Sequence, residues 1–291
     1  MSKKRTLTAG DAQRFRAILQ SATLAALMDS RRWQPGELAF QGGTCLHLAH
    51  GSARFSEDLD FMVRGGLSLH GLSKEVQRRL QFIPGVPGDM AVIVAPAKES
   101  RNPHAFMVTL AGPNVVGSAK VKIELWQTSA SALASVKLVV KAIPSPTGNQ
   151  AFVPTLTLDE ILADKIYALG ARSRLKARDI FDLWWLCDKQ PMHADADALC
   201  TRLDIYPGDN TDRAQTAAKW LTAARLRLSA LQAVHTTAAV ATDLKRWLPT
   251  SWKMDNAVAT TMTEVATQKL EEGIAIMAAR FPPKGAHGGG P

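Results

Sequence analysis

Cysteine is scarce: Cys45, Cys187 and Cys200 are the only three in 291 residues. Odd in number and widely spaced, they argue against a disulfide framework or a zinc site and fit a reducing cytoplasm. No apolar run reaches the length of a membrane span. The start, Met1-Ser2-Lys3-Lys4-Arg5, leads into a polar helix and not into the apolar core of a signal peptide. A cytoplasmic protein with no membrane partner is expected. Acid is also in short supply, with 26 Asp and Glu against 35 Lys and Arg, a formal charge of +9. The deficit is uneven: residues 1–150 hold 18 cations against 10 acids (+8), and residues 151–291 hold 17 against 16 (+1). A basic surface concentrates polyanions such as RNA, DNA and nucleotides, although many proteins are basic without binding nucleic acid.

What remains is an ordinary globular balance, 46% hydrophobic and 21% charged, in a chain long enough for one large or two modest domains. Phe15, Ile18, Leu19, Leu24 and Leu27 recur at helical spacing from Ala9 to about Met28. A short strand, Leu38–Phe40, runs into Gly42-Gly43, and Thr44–His50 reads as a brief helix stopped by Gly51. A strand Asp58–Val63 and a helix around Leu69–Leu80 follow. Strands are expected at Ala91–Ala95, Phe106–Leu110, Val121–Trp126 and Lys137–Ile143. The loop Pro144–Gln150 is the expected domain boundary. Beyond Leu156 the chain reads as helices near 158–170, 177–188, 212–230, 231–247 and 257–280. The stretch 282–291, with four glycines and three prolines, reads as a disordered tail. The expected organisation is therefore an α+β domain (1–150), a helical domain (151–281) and the tail.

The densest chemistry lies in Ser56-Glu57-Asp58-Leu59-Asp60-Phe61. In a strand, Asp58 and Asp60 project to one face while Leu59 and Phe61 pack inward. Two carboxylates that close repel unless a cation compensates them, and Mg²⁺ sites usually combine one or two carboxylates with substrate phosphates. Upstream, Gly42 and Gly43 permit close backbone approach, and Thr44 opens a helix whose free N–H groups favour phosphate. Glycine turn, helix and Asp-x-Asp strand together read as a site for a metal-bound nucleoside triphosphate. The bland counterpart is a solvated edge strand with two exposed acids.

Other residues extend this site. In Val121–Trp126, Lys122 and Glu124 share a face, so Glu124 is a candidate third carboxylate or base; an exposed strand face is the alternative. Lys165 falls inside the apolar stripe of Ile161, Leu162, Ile166 and Leu169, where an ammonium must snorkel, pair or bind phosphate. Asp179 and Asp182 lie three apart on the next helix. Asp182, set among Phe181, Leu183, Trp184, Trp185 and Leu186, is expected to be buried and to need Arg178 or Lys165 as partner. A structural ion pair fits equally well. Arg172, Arg174, Lys176 and Arg178, four cations in seven residues, suit a phosphate backbone.

Gly42-Gly43-Thr44-Cys45-Leu46, with Gly51 and Arg54-Phe55-Ser56-Glu57-Asp58-Leu59-Asp60-Phe61, resembles the first motif of the AbiEii/AbiGii nucleotidyltransferase-like toxins. Lys122-Ile123-Glu124, Leu158–Lys165 and Arg178–Leu183 resemble that family's later motifs in the same order. The resemblance implies a polymerase-beta-like nucleotidyltransferase core with a mixed sheet and a helical C-terminal domain. It also implies a toxin of a toxin–antitoxin or phage-defence pair, with its antitoxin encoded nearby and an RNA acceptor, a tRNA 3′ end in some members. Carried over by position, Asp58 and Asp60 hold Mg²⁺, and Gly42, Gly43, Thr44, Arg54, Ser56 and Lys165 line the triphosphate. Asp179 or Asp182 is the further essential acid. Gly43 departs from the commoner Gly-Ser turn, and Glu124 stands where related transferases often have Asp. Ser56 is a plausible phosphorylation control point. A small-molecule or protein nucleotidyltransferase, or a non-catalytic binding module on the same fold, remain as alternatives.

Overall fold

The structure, a computed structural model, describes residues 4–95, 102–189, 191–208 and 212–282. In the first part of the chain it places β1 (Arg5–Thr6), α1 (Ala9–Asp29), β2 (Leu38–Gln41), α2 (Gly42–His50), β3 (Leu59–Arg64), α3 (Leu72–Arg79) and β4 (Ala91–Val94). There follow β5 (His104–Ala111), β6 (Val115–Val116), β7 (Ala119–Thr128), α4 (Ala130–Ala134), β8 (Leu138–Pro144) and β9 (Gln150–Leu156). The rest is helical: α5 (Leu158–Ala171), α6 (Ala177–Lys189), α7 (Ala196–Ile205), α8 (Arg213–Leu231), α9 (Thr236–Leu244) and α10 (Asn256–Arg280). Apart from Pro282, the expected tail 282–291 lies outside the described residues.

Helix α1 starts where its sequence dictates. Thr8 Oγ1 accepts from the Asp11 N–H at 3.1 Å, and Asp11 Oδ2 accepts from the Thr8 N–H at 3.2 Å, a reciprocal cap for two otherwise orphaned donors. Its stripe Phe15, Leu19, Leu24 and Leu27 is fully buried, and the helix lies against β7. The sheet is seven-stranded and mixed, in the order β4-β5-β7-β3-β2-β9-β8. β3 and β7 run parallel at its centre, and β2 is antiparallel to β3 and parallel to β9. In β7 the odd-numbered residues from Ala119 to Leu125 are buried while Lys120, Lys122 and Glu124 are not, the period-two pattern of a strand with one covered face. Phe40 and Phe61 stack across β2 and β3 with centroids 4.9 Å apart. Each such side chain, fully buried, stabilises the fold by about 1.5–3 kcal/mol.

Two units emerge from the packing. One comprises the chain up to Gly51, Ser56–Leu133 and Leu138–Thr155; the other takes in Ser52–Phe55, Ala134–Lys137 and the chain from Leu156 onward. The sheet thus runs on through β9, beyond the loop read from sequence as the boundary. The Pro144–Gln150 prolines and glycine mark a turn between neighbouring strands and not the end of the unit. In the helical unit, α10 packs against α6, α8 and α9. Its centre holds a fully buried arginine, Arg202, which meets Glu160 Oε2 at 2.8 Å and Asp164 Oδ1 at 2.9 Å and donates to the Glu160 carbonyl at 2.6 Å. A guanidinium is tolerated there because carboxylates and carbonyls take up its donors.

Candidate active site

Strand β2 passes directly into α2 through Gly42. Its φ of +77° lies in the left-handed region, where an L side chain is strained. A Cβ added there would lie 2.6 Å from Asp60 Oδ2. The cause is register: Asp60 pairs with Gln41 across β2 and β3, which sets its carboxylate beside the next residue along. Only glycine leaves room for that carboxylate against the first turn of α2. The helix begins at Gly42 and not at Thr44, so the expected turn is itself the first helical turn. The Gln41 side chain does not cap it, and first-turn N–H groups with the positive end of the helix dipole favour an anion.

Thr44 has a different task from the one the sequence suggested. It is fully buried, and its hydroxyl donates to the backbone carbonyl of Asp58. It therefore fixes the chain where Asp58 enters β3 and does not face a phosphate. Ser56 is half-buried, and its carbonyl accepts from the buried Gln20 amide at 2.8 Å. Glu57 lies 3.7 Å from Arg16. Asp58 and Asp60 are both partly exposed on either side of the buried Leu59, as alternation requires.

Glu124 stands beside Asp60 in the parallel register of β3 and β7. Its Oε1 is engaged by the Lys122 ammonium, because strand alternation puts the two residues on one face. The hydrogen bond to Glu124, followed by the charges of Glu124, Asp58 and Asp60, raises the Lys122 pKa above its ordinary value against the opposing effect of burial. Among the described residues no group of three or more His, Cys, Asp or Glu is placed to hold a metal ion. Glu124 therefore does not complete a three-carboxylate set with Asp58 and Asp60. Sequence reasoning recognised that Lys122 and Glu124 share a face but gave Lys122 no task; its place as counter-charge to these acids was available from the same alternation.

The remaining candidates gather in the helical unit. Lys165 Nζ lies 2.7 Å from Asp182 Oδ2 and 3.4 Å from Asp179 Oδ1, with its side chain 10% exposed. Asp182, fully buried, also receives Arg54 Nε and Nη2 at 2.8 Å each, a bidentate pair. Arg172 Nε lies 2.6 Å from Asp179 Oδ2. Burial alone would raise the Asp182 carboxyl, but Arg54 and Lys165 outweigh it and hold the group below the usual carboxylate range. Arg54 is thus an internal partner of Asp182, and the segment carrying it is held again by the Phe55 N–H on the Trp247 carbonyl at 2.7 Å. Arg178, considered from sequence as a local partner for Asp182, lies over the Trp247 ring at 4.3 Å. Arg54, 128 residues from Asp182, could not be matched to it from spacing alone.

A profile of the family described as "Nucleotidyl transferase AbiEii toxin, Type IV TA system" matches residues 26–271, most of the chain and every residue of both clusters. The chain belongs to the AbiEii family. No curated protein matches it. Among solved structures, a putative nucleotidyltransferase from Helicobacter pylori superposes with a TM-score of 0.50 at 20% identity, over 91% of this chain and 98% of that one. That likeness shows a shared nucleotidyltransferase fold. MenT4, a nucleotidyltransferase toxin from Mycobacterium tuberculosis, aligns with a TM-score of 0.49 at 16% identity, over 92% and 94% of the two chains. An AbiEii protein is a toxin nucleotidyltransferase, and its type IV toxin–antitoxin system implies an antitoxin as second component. No helix among the described residues is long and apolar enough to cross a membrane.

Proposed function

We propose that this AbiEii protein transfers a nucleoside monophosphate from a nucleoside triphosphate to an RNA hydroxyl, with a tRNA 3′ end as the acceptor. The observation that carries this reading is the seat of Asp60. A left-handed glycine with no room for a Cβ holds its carboxylate against the first turn of α2, so acid and anion-favouring helix start share one place. Such a pairing suits a cation–phosphate ligand better than either charge alone.

Asp58 and Asp60 are a hard, all-oxygen donor pair of the kind that binds Mg²⁺ together with substrate phosphates. The tight fit around Gly42 keeps one member of the pair fixed, and the residues present fit the ion. Bound there, a divalent cation supplies charge neutralisation for the triphosphate and the departing pyrophosphate. The first-turn N–H groups of α2 orient the phosphates. Thr44 fixes the Asp58 backbone, and Lys122 limits repulsion among Glu124, Asp58 and Asp60. The ribose hydroxyl oxygen attacks the α-phosphorus, and the bond to the β-phosphate oxygen breaks, that oxygen keeping the electron pair. Glu124 Oε2, the oxygen that Lys122 does not engage, accepts the hydroxyl proton. A nucleotide added to a tRNA 3′ end occupies the position where an amino acid is attached, which accounts for toxicity. Lys165 serves in this structure as internal counter-charge to Asp179 and Asp182, which leaves the metal and phosphate chemistry to Asp58, Asp60 and the start of α2.

The test is a transfer assay with purified protein, Mg²⁺ and each of four α-labelled nucleoside triphosphates on total tRNA. Label on tRNA that vanishes with folded Asp58→Ala protein is the expected result. Label on protein instead of tRNA would overturn the acceptor, and label on tRNA regardless of Asp58 would overturn the mechanism.

A further inference from the structure

The helical unit contains an open groove of about 660 Å³ between the loop ahead of α6 and helices α8 and α9. Five cations line it, Arg174, Lys176, Arg178, Arg227 and Arg246, against a single acid, Asp243. Three of them belong to the basic run that precedes and opens α6. The fourth member of that run, Arg172, turns onto Asp179 instead. Arg227 comes from α8 and Arg246 from just beyond α9, so residues distant in sequence converge on one surface. Arg174 and Arg227 have no carboxylate partner among the described residues, and the Arg227 Nε is enclosed without a hydrogen-bond acceptor. Arg178 and Arg246 lie over the Trp247 ring at 4.3 and 5.2 Å, which steadies two of the guanidinium groups.

We infer that this groove binds the phosphate backbone of an RNA. The inference rests on the proposed RNA acceptor and adds where on the chain that acceptor is gripped. Four of the five cations are arginines, whose planar fork matches phosphate oxygens two at a time. Apart from His235, the remaining lining is small or aliphatic, with Ala177, Ala230 and Val240 among it. Protein-docking surfaces combine Arg with Tyr, Trp, Phe and Met and are poor in Lys, whereas this groove has Arg and Lys and none of those aromatic or Met side chains in its lining. A row of guanidiniums over small side chains meets a backbone and not a base edge, so binding is insensitive to sequence.

The experiment measures binding of the full chain to a fluorescently labelled tRNA pool across a salt series, for wild type, an Arg174→Ala/Arg227→Ala double variant and its Arg174→Lys/Arg227→Lys counterpart. Each lost phosphate contact flattens the plot of log K against log salt by about 0.7–0.9. The alanine variant should therefore lose about 1.5 in slope and bind on the order of tenfold or more weakly near 0.1 M salt. The lysine variant should keep most of the slope, and both should melt like wild type. Wild-type affinity and slope in the folded alanine variant would overturn the inference. So would displacement of the tRNA by polyglutamate as readily as by unlabelled RNA, which would mark the groove as a seat for an acidic protein. Asp58→Ala protein should bind tRNA as wild type does. Loss of transfer without loss of binding thus separates a failed mechanism from a failed groove.

Discussion

Gly42 and Gly51 bound the same short helix, and both hold left-handed backbone, with φ of +77° and +80°. Alanine at either position meets the same backbone penalty, roughly 1–2 kcal/mol. The surroundings differ. At Gly51 nothing lies within 4 Å of the new Cβ, whereas at Gly42 it would stand 2.6 Å from Asp60 Oδ2 and 3.3 Å from that residue's Cγ. Ordinary contact requires at least 3.4 Å, so the Asp60 carboxylate or the start of α2 must move by about 0.8 Å, taken as 3.4 minus 2.6. Displacements near 1 Å in a reacting assembly cost on the order of 100-fold in rate. Gly51→Ala should lower the melting temperature by about 2–8 °C and leave nucleotide transfer within about twofold. Gly42→Ala should melt at a similar or slightly lower temperature and lose transfer by about 100-fold. The matched pair cancels backbone strain and isolates the seat of Asp60. A folded Gly42→Ala protein that transfers as fast as Gly51→Ala would refute the argument that this glycine exists to accommodate the carboxylate.

Three further outcomes follow from the geometry. Thr44→Val keeps shape but removes the hydroxyl from the Asp58 carbonyl; it should cost about 1 kcal/mol by denaturant melting and slow transfer, while Thr44→Ser should restore both. Lys122→Ala removes the counter-charge at Glu124, Asp58 and Asp60, so the free protein should bind Mn²⁺ roughly fivefold tighter by calorimetry; unchanged or weaker binding would remove Lys122 from this account. Asp182→Asn strips the shared carboxylate from Arg54 and Lys165 and should destabilise the protein by about 3–5 kcal/mol. Because the folded Asp182 pKa is depressed, its stabilisation is complete above the unfolded value near 4 and fades as pH falls through the lower folded value. Wild type should therefore lose stability on acidification below about pH 4 faster than the Asn variant does.

Much of the sheet was legible because alternation is a local signal. Phe61, Ile123 and Leu125 face inward and Asp60, Lys122 and Glu124 do not, as period two requires. The Gly42–Asp60 seat was half legible: two glycines before a helix announce close approach, but the partner is set by the β2–β3 register, which no local pattern records. Strand β9 escaped because Gln150–Leu156 follows a loop of prolines and a glycine that reads as a boundary. It is defined by pairing with β2 through Phe40 and Thr155, more than a hundred residues apart. Helix α7, Ala196–Ile205, was likewise not anticipated, although Asp195 caps it by accepting from the Asp197 and Ala198 N–H groups. The expected link from Lys165 to Asp182 holds at 2.7 Å, whereas Arg54, the carboxylate's other partner, required the fold to be known.

Charge shows most clearly where composition misleads. Counting by halves gives +8 before residue 150 and +1 after it, which directs a search for a polyanion site to the first half. Yet a groove lined by five cations lies in the helical unit. Of the acids that balance the second half, Asp243 alone is among that groove's lining. Glu160, Asp164, Asp179 and Asp182 are turned inward onto Arg202, Lys165 and Arg54, where they act only on their immediate partners. Arg54, moreover, is counted in the first half but spends its charge in the helical unit. Net charge sums buried and surface groups alike, whereas a polyanion in solution meets chiefly those left at the surface. A nearly neutral segment can thus present a strongly basic groove once its acids are committed to holding helices together, and burial of the ion pairs decides where the field emerges.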